Sequence, residues 1–169
     1  MLDIKEIFSQ LFSSYGYIVL YLYFTIDTLG IIIPSKSVLS FLGILIEKNV
    51  LEFFPVLITA ISGSLTGVSL GYVIGRRIGS PGLKKYGKYI RLQPEKLLRA
   101  EKWFQKYGLP VIIISYFVPG LRNIMPYLAG MSGLHYYKVI LFSAAGVFLW
   151  ATTFIYLGRF IDHLWEIAR

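Results

Sequence analysis

The chain has 169 residues, of which 56% are hydrophobic and 17% aromatic, and a formal net charge of +8; its mean hydropathy is +0.63. That is membrane-protein composition, with room for one domain, 1–169, and a handful of membrane elements. The absence of cysteine excludes disulfides, thiol catalysis and cysteine-ligated metals. His135 and His163 are the only histidines and stand far apart in sequence, which argues against a zinc site. No cofactor is called for.

Met1 to Ser14 mixes Asp3, Lys5 and Glu6 with Ile4, Ile7, Phe8, Leu11 and Phe12. The spacing predicts a short amphipathic helix on the membrane surface, without the basic start and small-residue cleavage site of a secretory signal. Gly16 to Ile33 is apolar apart from Asp27, Pro34 ends it, and Ser35 to Ile46 is a shorter apolar piece. Neither makes a span of about 20 uninterrupted residues, so together they predict a helical hairpin that enters the bilayer and returns. Phe53 to Gly75 is uncharged and long enough to cross. Gly63, Gly67, Gly71 and Gly75, with Gly79 next in period, form one stripe on which another backbone can pack closely.

Residues 76–106 carry ten Lys/Arg against Glu95 and Glu101, the whole net charge of the chain. The positive-inside rule places this loop in the cytoplasm, where it can lie against anionic lipid headgroups. Topology accounts for the charge, so no nucleic-acid partner is needed. Pro94 to Tyr107 reads as a helix at the water interface, stopped by Gly108. Leu109 to Val118 is a short apolar piece ending at Pro119-Gly120, and Gly120 to Met131 is another, containing Arg122 and interrupted by Pro126. Val139 to Leu157 is a second span, rich in small residues.

The order repeats. Tyr15-Gly16 and Tyr107-Gly108 each precede a broken pair and then a span that ends at Gly-Arg. The expected fold is therefore all-α and integral to the membrane: two inverted repeats, about 15–79 and 107–160, each a re-entrant hairpin followed by a transmembrane helix, with the loop and interfacial helix 80–107 between them. In that plan the broken segments meet, bringing Asp27 and Arg122 into one polar cavity near the midplane.

Three stretches carry a family resemblance. Asp27 to Lys36, with Pro34-Ser35-Lys36 at its end, resembles the Glu-Asn…Pro-Ser-Glu pattern of the DedA family, also called the VTT or SNARE-associated Golgi protein superfamily. The glycine ladder is similar to that family's Gly-rich span. Tyr116-Phe117-Val118-Pro119-Gly120-Leu121-Arg122, with Ala129-Gly130-Met131-Ser132-Gly133-Leu134, resembles its Arg-Phe-x-Pro-x-x-Arg…Ala-Gly-x-Ser-x-Met/Leu block. Lys36 and Tyr116 depart from the pattern by charge. The resemblance implies a bacterial plasma-membrane lipid transporter or scramblase, acting on undecaprenyl phosphate or on phospholipids such as phosphatidylethanolamine.

A charge at membrane depth is costly and faces partners or water. Arg122 is the first candidate for substrate binding, because a guanidinium takes phosphate bidentately; the alternative is an interfacial arginine reaching lipid headgroups. Lys36 offers a second cation, with the same alternative. Asp27 needs a partner, Lys36 or Arg122, and a purely structural ion pair is its rival reading. Ser35, Ser37, Tyr116 and Asn123 add hydroxyl and amide donors, and Pro34, Pro119, Gly120 and Pro126 mark the helix breaks. Asp27, Lys36 and Arg122 sum to +1, which suits a zwitterionic headgroup such as phosphatidylethanolamine, with a polyprenyl phosphate as the alternative. An enzyme on lipid phosphate lacks a nucleophile and base. A structural scaffold leaves the charged breaks unexplained. A second copy of the chain is a further candidate partner.

Overall fold

The computed structural model describes residues 15–30, 35–86, 102–118 and 120–167. Six helices carry the fold: α1 (Tyr17–Thr28), α2 (Ser35–Glu47), α3 (Phe53–Tyr86), α4 (Val111–Ser115), α5 (Leu121–Met131) and α6 (Tyr136–Ile167). A further helical stretch covers 102–107, and no strand occurs among the described residues. The N-terminal segment 1–14, residues 87–101 of the basic loop, Pro34 and Pro119 lie outside the described residues.

Local chemistry sets the boundaries. α1 closes with the N–H of Leu29 bonded to Thr25 O, and Gly30 then turns at φ 103°. Two residues past the end of α2, Asn49 takes the left-handed φ of 53° that asparagine tolerates. Pro55 sits in the first turn of α3, where its missing N–H costs nothing. Gly108 and Gly120, at φ 66° and 83°, stand where 102–107 ends and where α5 begins.

Two expectations need correction. Gly79 does not continue the glycine stripe: at φ 64° and ψ −177° it interrupts the helix at the end of the span. Pro126 does not break its segment, because α5 runs through it. A proline removes the hydrogen bond to the residue four before it. Here that residue is Arg122, in the first turn, so the helix loses a single bond near its start.

α3 and α6 contain the two stretches long and apolar enough to cross a membrane, Phe53–Arg77 and Tyr136–Ile161. α1, α2 and α5 have 12, 13 and 11 residues, about 16–20 Å of helix against a hydrocarbon core of about 30 Å. Large apolar side chains such as Phe54, Ile58, Leu141 and Phe148 face outward along the long helices, while Phe24, Leu39, Val56, Val68, Trp150 and Ile155 are closed inside. An outer surface this apolar is suited to lipid rather than water.

Small residues set the packing. A Cβ on Gly63 would strike Tyr21 and Phe24, and one on Gly67 would strike Thr25 and Thr28, so α1 lies directly on α3. Thr25 Oγ1 donates to Gly63 O at 3.0 Å across that contact. Further along the stripe, Gly71 meets Pro126 and Gly75 meets the backbone of Tyr127, which seats α5 on the same helix. α5 returns the contact: Gly130 meets the backbone of Tyr72. α2 and α6 cross in the same reciprocal way, Gly43 against the backbone of Ile155 and Gly158 against that of Ser40. The helix that follows each break therefore packs on the long helix of the other half of the chain.

These crossings leave no room for a methyl group, so overpacking sets the cost of filling them, about 1–3 kcal/mol. Gly130→Ala and Gly158→Ala should each lower the thermal midpoint of the detergent-purified protein. Gly133 has open space around it and a φ of 66°, so Gly133→Ala carries only the left-handed backbone cost, about 1 kcal/mol. Thermal denaturation of the three variants side by side checks the order; a Gly133→Ala loss as large as the others would contradict the packing account.

Candidate functional site

The helix ends converge. Asp27 occupies the last turn of α1, Ser35 and Lys36 open α2, and Arg122 and Asn123 open α5. Asp27 and Arg122, 95 residues apart in sequence, form a direct ion pair through Arg122 Nη2 and Asp27 Oδ2. They are 3% and 8% exposed. Each partner sits where its helix disfavours it. A carboxylate at a C-terminus and a cation at an N-terminus both oppose the helix dipole, so each depends on the other.

Arg122 is held from several sides. Nη2 also donates to Ser35 Oγ at 3.2 Å, and Nε donates to Asn123 Oδ1 at 3.4 Å. The guanidinium carbon lies 4.2 Å from the ring centre of Trp150 on α6, a cation–π distance. Nη1 makes no hydrogen bond to a described residue. Tyr127, one turn along α5, donates its hydroxyl to Leu29 O at 2.8 Å and ties the end of α1 to the same helix.

The other predicted residues divide. Lys36 is half-buried and lies 5.5 Å from the ring of Phe154, not on Asp27. Tyr116 is buried against Gly146, with its hydroxyl beside Ser143 and its ring 6.5 Å from that of Trp150. It lies behind Trp150 rather than on Arg122. Ser37 is exposed and apart. Gly120 supplies the left-handed cap that starts α5 two residues before Arg122. Among the described residues no group of three or more His, Asp or Glu is placed to hold a metal.

Trp150, Phe154 and Tyr23 were not singled out by sequence reasoning. A faint signal was present: Gly146, Trp150, Phe154 and Gly158 recur every fourth residue of the second span. That makes one helix stripe, and its two glycines mark it as the face another helix approaches.

Comparison with known proteins adds the family. The model of the VTT domain matches residues 33–160. The chain belongs to the VTT domain family, the DedA family of membrane proteins. It is 33% identical to the uncharacterized membrane protein YbfM of Bacillus subtilis, over 92% of this chain and 96% of that one. It is 30% identical to undecaprenyl phosphate transporter A of Staphylococcus aureus, over 92% and 78%, and 27% identical to protein DedA of Escherichia coli, over 95% and 76%. No solved structure matches the chain. At the level of the family, membership supports lipid-related transport.

Breaking a buried pair from one side leaves an uncompensated charge, at a cost of about 3–5 kcal/mol. Asp27→Asn and Arg122→Gln should both destabilise the purified protein, Arg122→Gln more, since it also loses Ser35 and the face of Trp150. The double variant should be more stable than Arg122→Gln alone. Thermal midpoints of the three proteins check this; simple additivity of the two losses would mean that the residues do not act as a pair.

Proposed function

We propose that this chain moves a phosphate-bearing lipid across a bacterial plasma membrane, binding the headgroup at Arg122, and that a polyprenyl phosphate such as undecaprenyl phosphate fits the geometry best. The carrying observation is the buried guanidinium, whose Nη1 has no hydrogen-bond partner among the described residues, at the start of α5 and beside the start of α2. Guanidinium and helix N-terminal N–H groups both favour an anion. Asp27 is already engaged by Arg122, so the free carboxylate that an amine headgroup would need is absent from this arrangement. The name of the Staphylococcus aureus relative points the same way. Phosphatidylethanolamine is the second reading: a phosphate that took Arg122 would release Asp27 to face the amine.

The transport plan is alternating access between two inverted repeats. The reciprocal glycine contacts support it. Gly75 and Gly158, on the long helices, are 83 positions apart, as are their neighbours Tyr72 and Ile155; Gly43 and Gly130, on the helices after each break, are 87 apart, as are Ser40 and Tyr127. These offsets are what a single two-fold relation between the crossings would give. Ser35 and Arg122 are also 87 apart, so the hydrogen bond between them joins equivalent positions near the axis. α1–α2 and α4–α5 are then re-entrant hairpins, too short to cross, and the site lies where their tips meet, as in other transporters built this way. In this plan 1–169 is one membrane domain, and the loop 76–106 faces the cytoplasm against anionic headgroups.

Liposomes containing the pure protein test the substrate. Arg122→Gln should abolish movement of every phosphate lipid. Asp27→Asn should reduce movement of phosphatidylethanolamine more than that of undecaprenyl phosphate. Undiminished movement in Arg122→Gln would end the proposal. Topology has its own test, because no native cysteine interferes. Arg77 and Lys106 are exposed, and cysteines placed there should resist a membrane-impermeant maleimide added to intact cells; labelling from outside would invert the assignment.

A further inference from the structure

Three hydrogen-bond donors at or beside Arg122 have no acceptor among the described residues. Trp150 is fully buried, yet its Nε1 has no hydrogen-bond partner among the described residues. An indole N–H can only donate. The hydroxyl of Tyr23 is likewise enclosed and has no hydrogen-bond partner among the described residues, and Tyr23 stands one turn before Asp27 on α1, on the helix face that meets Arg122. Phe24 joins the two: its ring centre is 5.3 Å from that of Tyr23 and 6.5 Å from that of Trp150, edge-on to both. Arg122 itself, its guanidinium carbon 4.2 Å from the ring centre of Trp150, makes no hydrogen bond through Nη1 to a described residue.

A buried donor left unmade is costly, and inside a membrane the penalty is not relieved by bulk water. Two such donors flanking one guanidinium are therefore expected to have an acceptor from outside the chain. We propose that Tyr23 and Trp150 are headgroup-binding residues, whose O–H and N–H complete with Arg122 Nη1 a donor-only cradle for the phosphate oxygens of the transported lipid. This rests on the phosphate reading above and deepens it. All three groups can donate, so the cradle favours an oxyanion, which accepts at several oxygens, over an alcohol or an ammonium group. Trp150 has a second part in it, since the face of its ring fixes the plane of the guanidinium and hence the direction of Nη1.

The test uses the full chain, purified in detergent, with farnesyl monophosphate as the probe, farnesol as its uncharged counterpart and inorganic phosphate as the headgroup alone. Thermal stabilisation against probe concentration gives Kd. The wild type should respond to farnesyl monophosphate and not to farnesol. A response to inorganic phosphate as well assigns the cradle to the phosphate itself; a response to farnesyl monophosphate alone assigns it to a lipid-borne phosphate. Tyr23→Phe removes one oxygen and Trp150→Phe keeps a stacking ring while removing the N–H. Each should weaken Kd for farnesyl monophosphate about tenfold to a hundredfold, the loss of a hydrogen bond to a charged acceptor. Tyr23→Phe should do so without lowering the thermal midpoint of the unliganded protein, because it deletes an unmade donor; a merely structural tyrosine would show the reverse. If Trp150→Phe does not fold, Tyr23→Phe alone decides. Wild-type Kd in Tyr23→Phe would overturn the inference while leaving the role of Arg122 intact. A wild type that ignores farnesyl monophosphate would overturn the phosphate reading and this inference with it.

Discussion

A carboxylate and a guanidinium closed off from solvent can be kept only as a pair, and this pair joins two helix ends that are 95 residues apart in sequence. Asp27 ends one short helix and Arg122 begins another. Separating them would leave a bare charge in an apolar interior, at a cost of about 3–5 kcal/mol. The ends of α1 and α5 are thereby fixed against each other, and Ser35 draws in the start of α2. A buried pair need not add to stability compared with an apolar substitute. Its retention where both helix dipoles oppose it fits a site whose charges are needed for something other than folding.

The pair can form only because the helices bearing it approach α3 so closely. In lipid there is little hydrophobic drive between helices, and association relies on close backbone contact and hydrogen bonds. Gly63 and Gly67 admit α1, while Gly71 and Gly75 admit α5. One stripe on one helix thus carries both halves of the ion pair, with Asp27 between the two residues that Gly67 contacts, Thr25 and Thr28, and Arg122 one turn before the proline that Gly71 contacts. Side-chain hydroxyls from Thr25 and Tyr127, bonded to carbonyls of the facing segment, add polar links of the kind an apolar medium favours.

Much of this was legible in the sequence because charge, proline and glycine have few innocent uses in an apolar run. Asp27 and Arg122 stood out as charges, the stripe as a period of four, and Gly108 as a stop. The local sequence left the partner of Asp27 open between Lys36 and Arg122, although the inverted order of the two units already placed Arg122 in its cavity. Lys36 is nine positions away and Arg122 is 95, yet the nearer cation is the wrong one. The reason is helical geometry: neighbouring residues point about 100° apart, so once α2 starts at Ser35, Ser35 and Lys36 cannot both face Arg122. Ser35 does, and Lys36 turns to Phe154. Pro126 misled for a related reason, since a proline's cost depends on how far into the helix it falls. Trp150 was invisible because an aromatic in an apolar span carries no mark of its own; only its register with Gly146 and Gly158 sets it apart.

That register bears on how the two halves divide the work. If the halves are repeats with the offset of 83 on the long helices, the ladder Gly63, Gly67, Gly71, Gly75 maps onto Gly146, Trp150, Phe154, Gly158. The outer glycines are kept and the inner two are replaced by large rings. On α3 the inner positions admit backbone: Gly67 meets α1 and Gly71 meets α5. On α6 the same positions hold cations, Arg122 over Trp150 and Lys36 over Phe154. A sequence selected only to pack two equivalent crossings would have no need of this difference. Glycine closes one side of the proposed axis by direct helix contact. The rings line the other side with aromatic faces on which positive charge is stable. The polar groups of the site therefore gather against α6, and α3 acts as the fixed wall on which the charged helix ends are assembled.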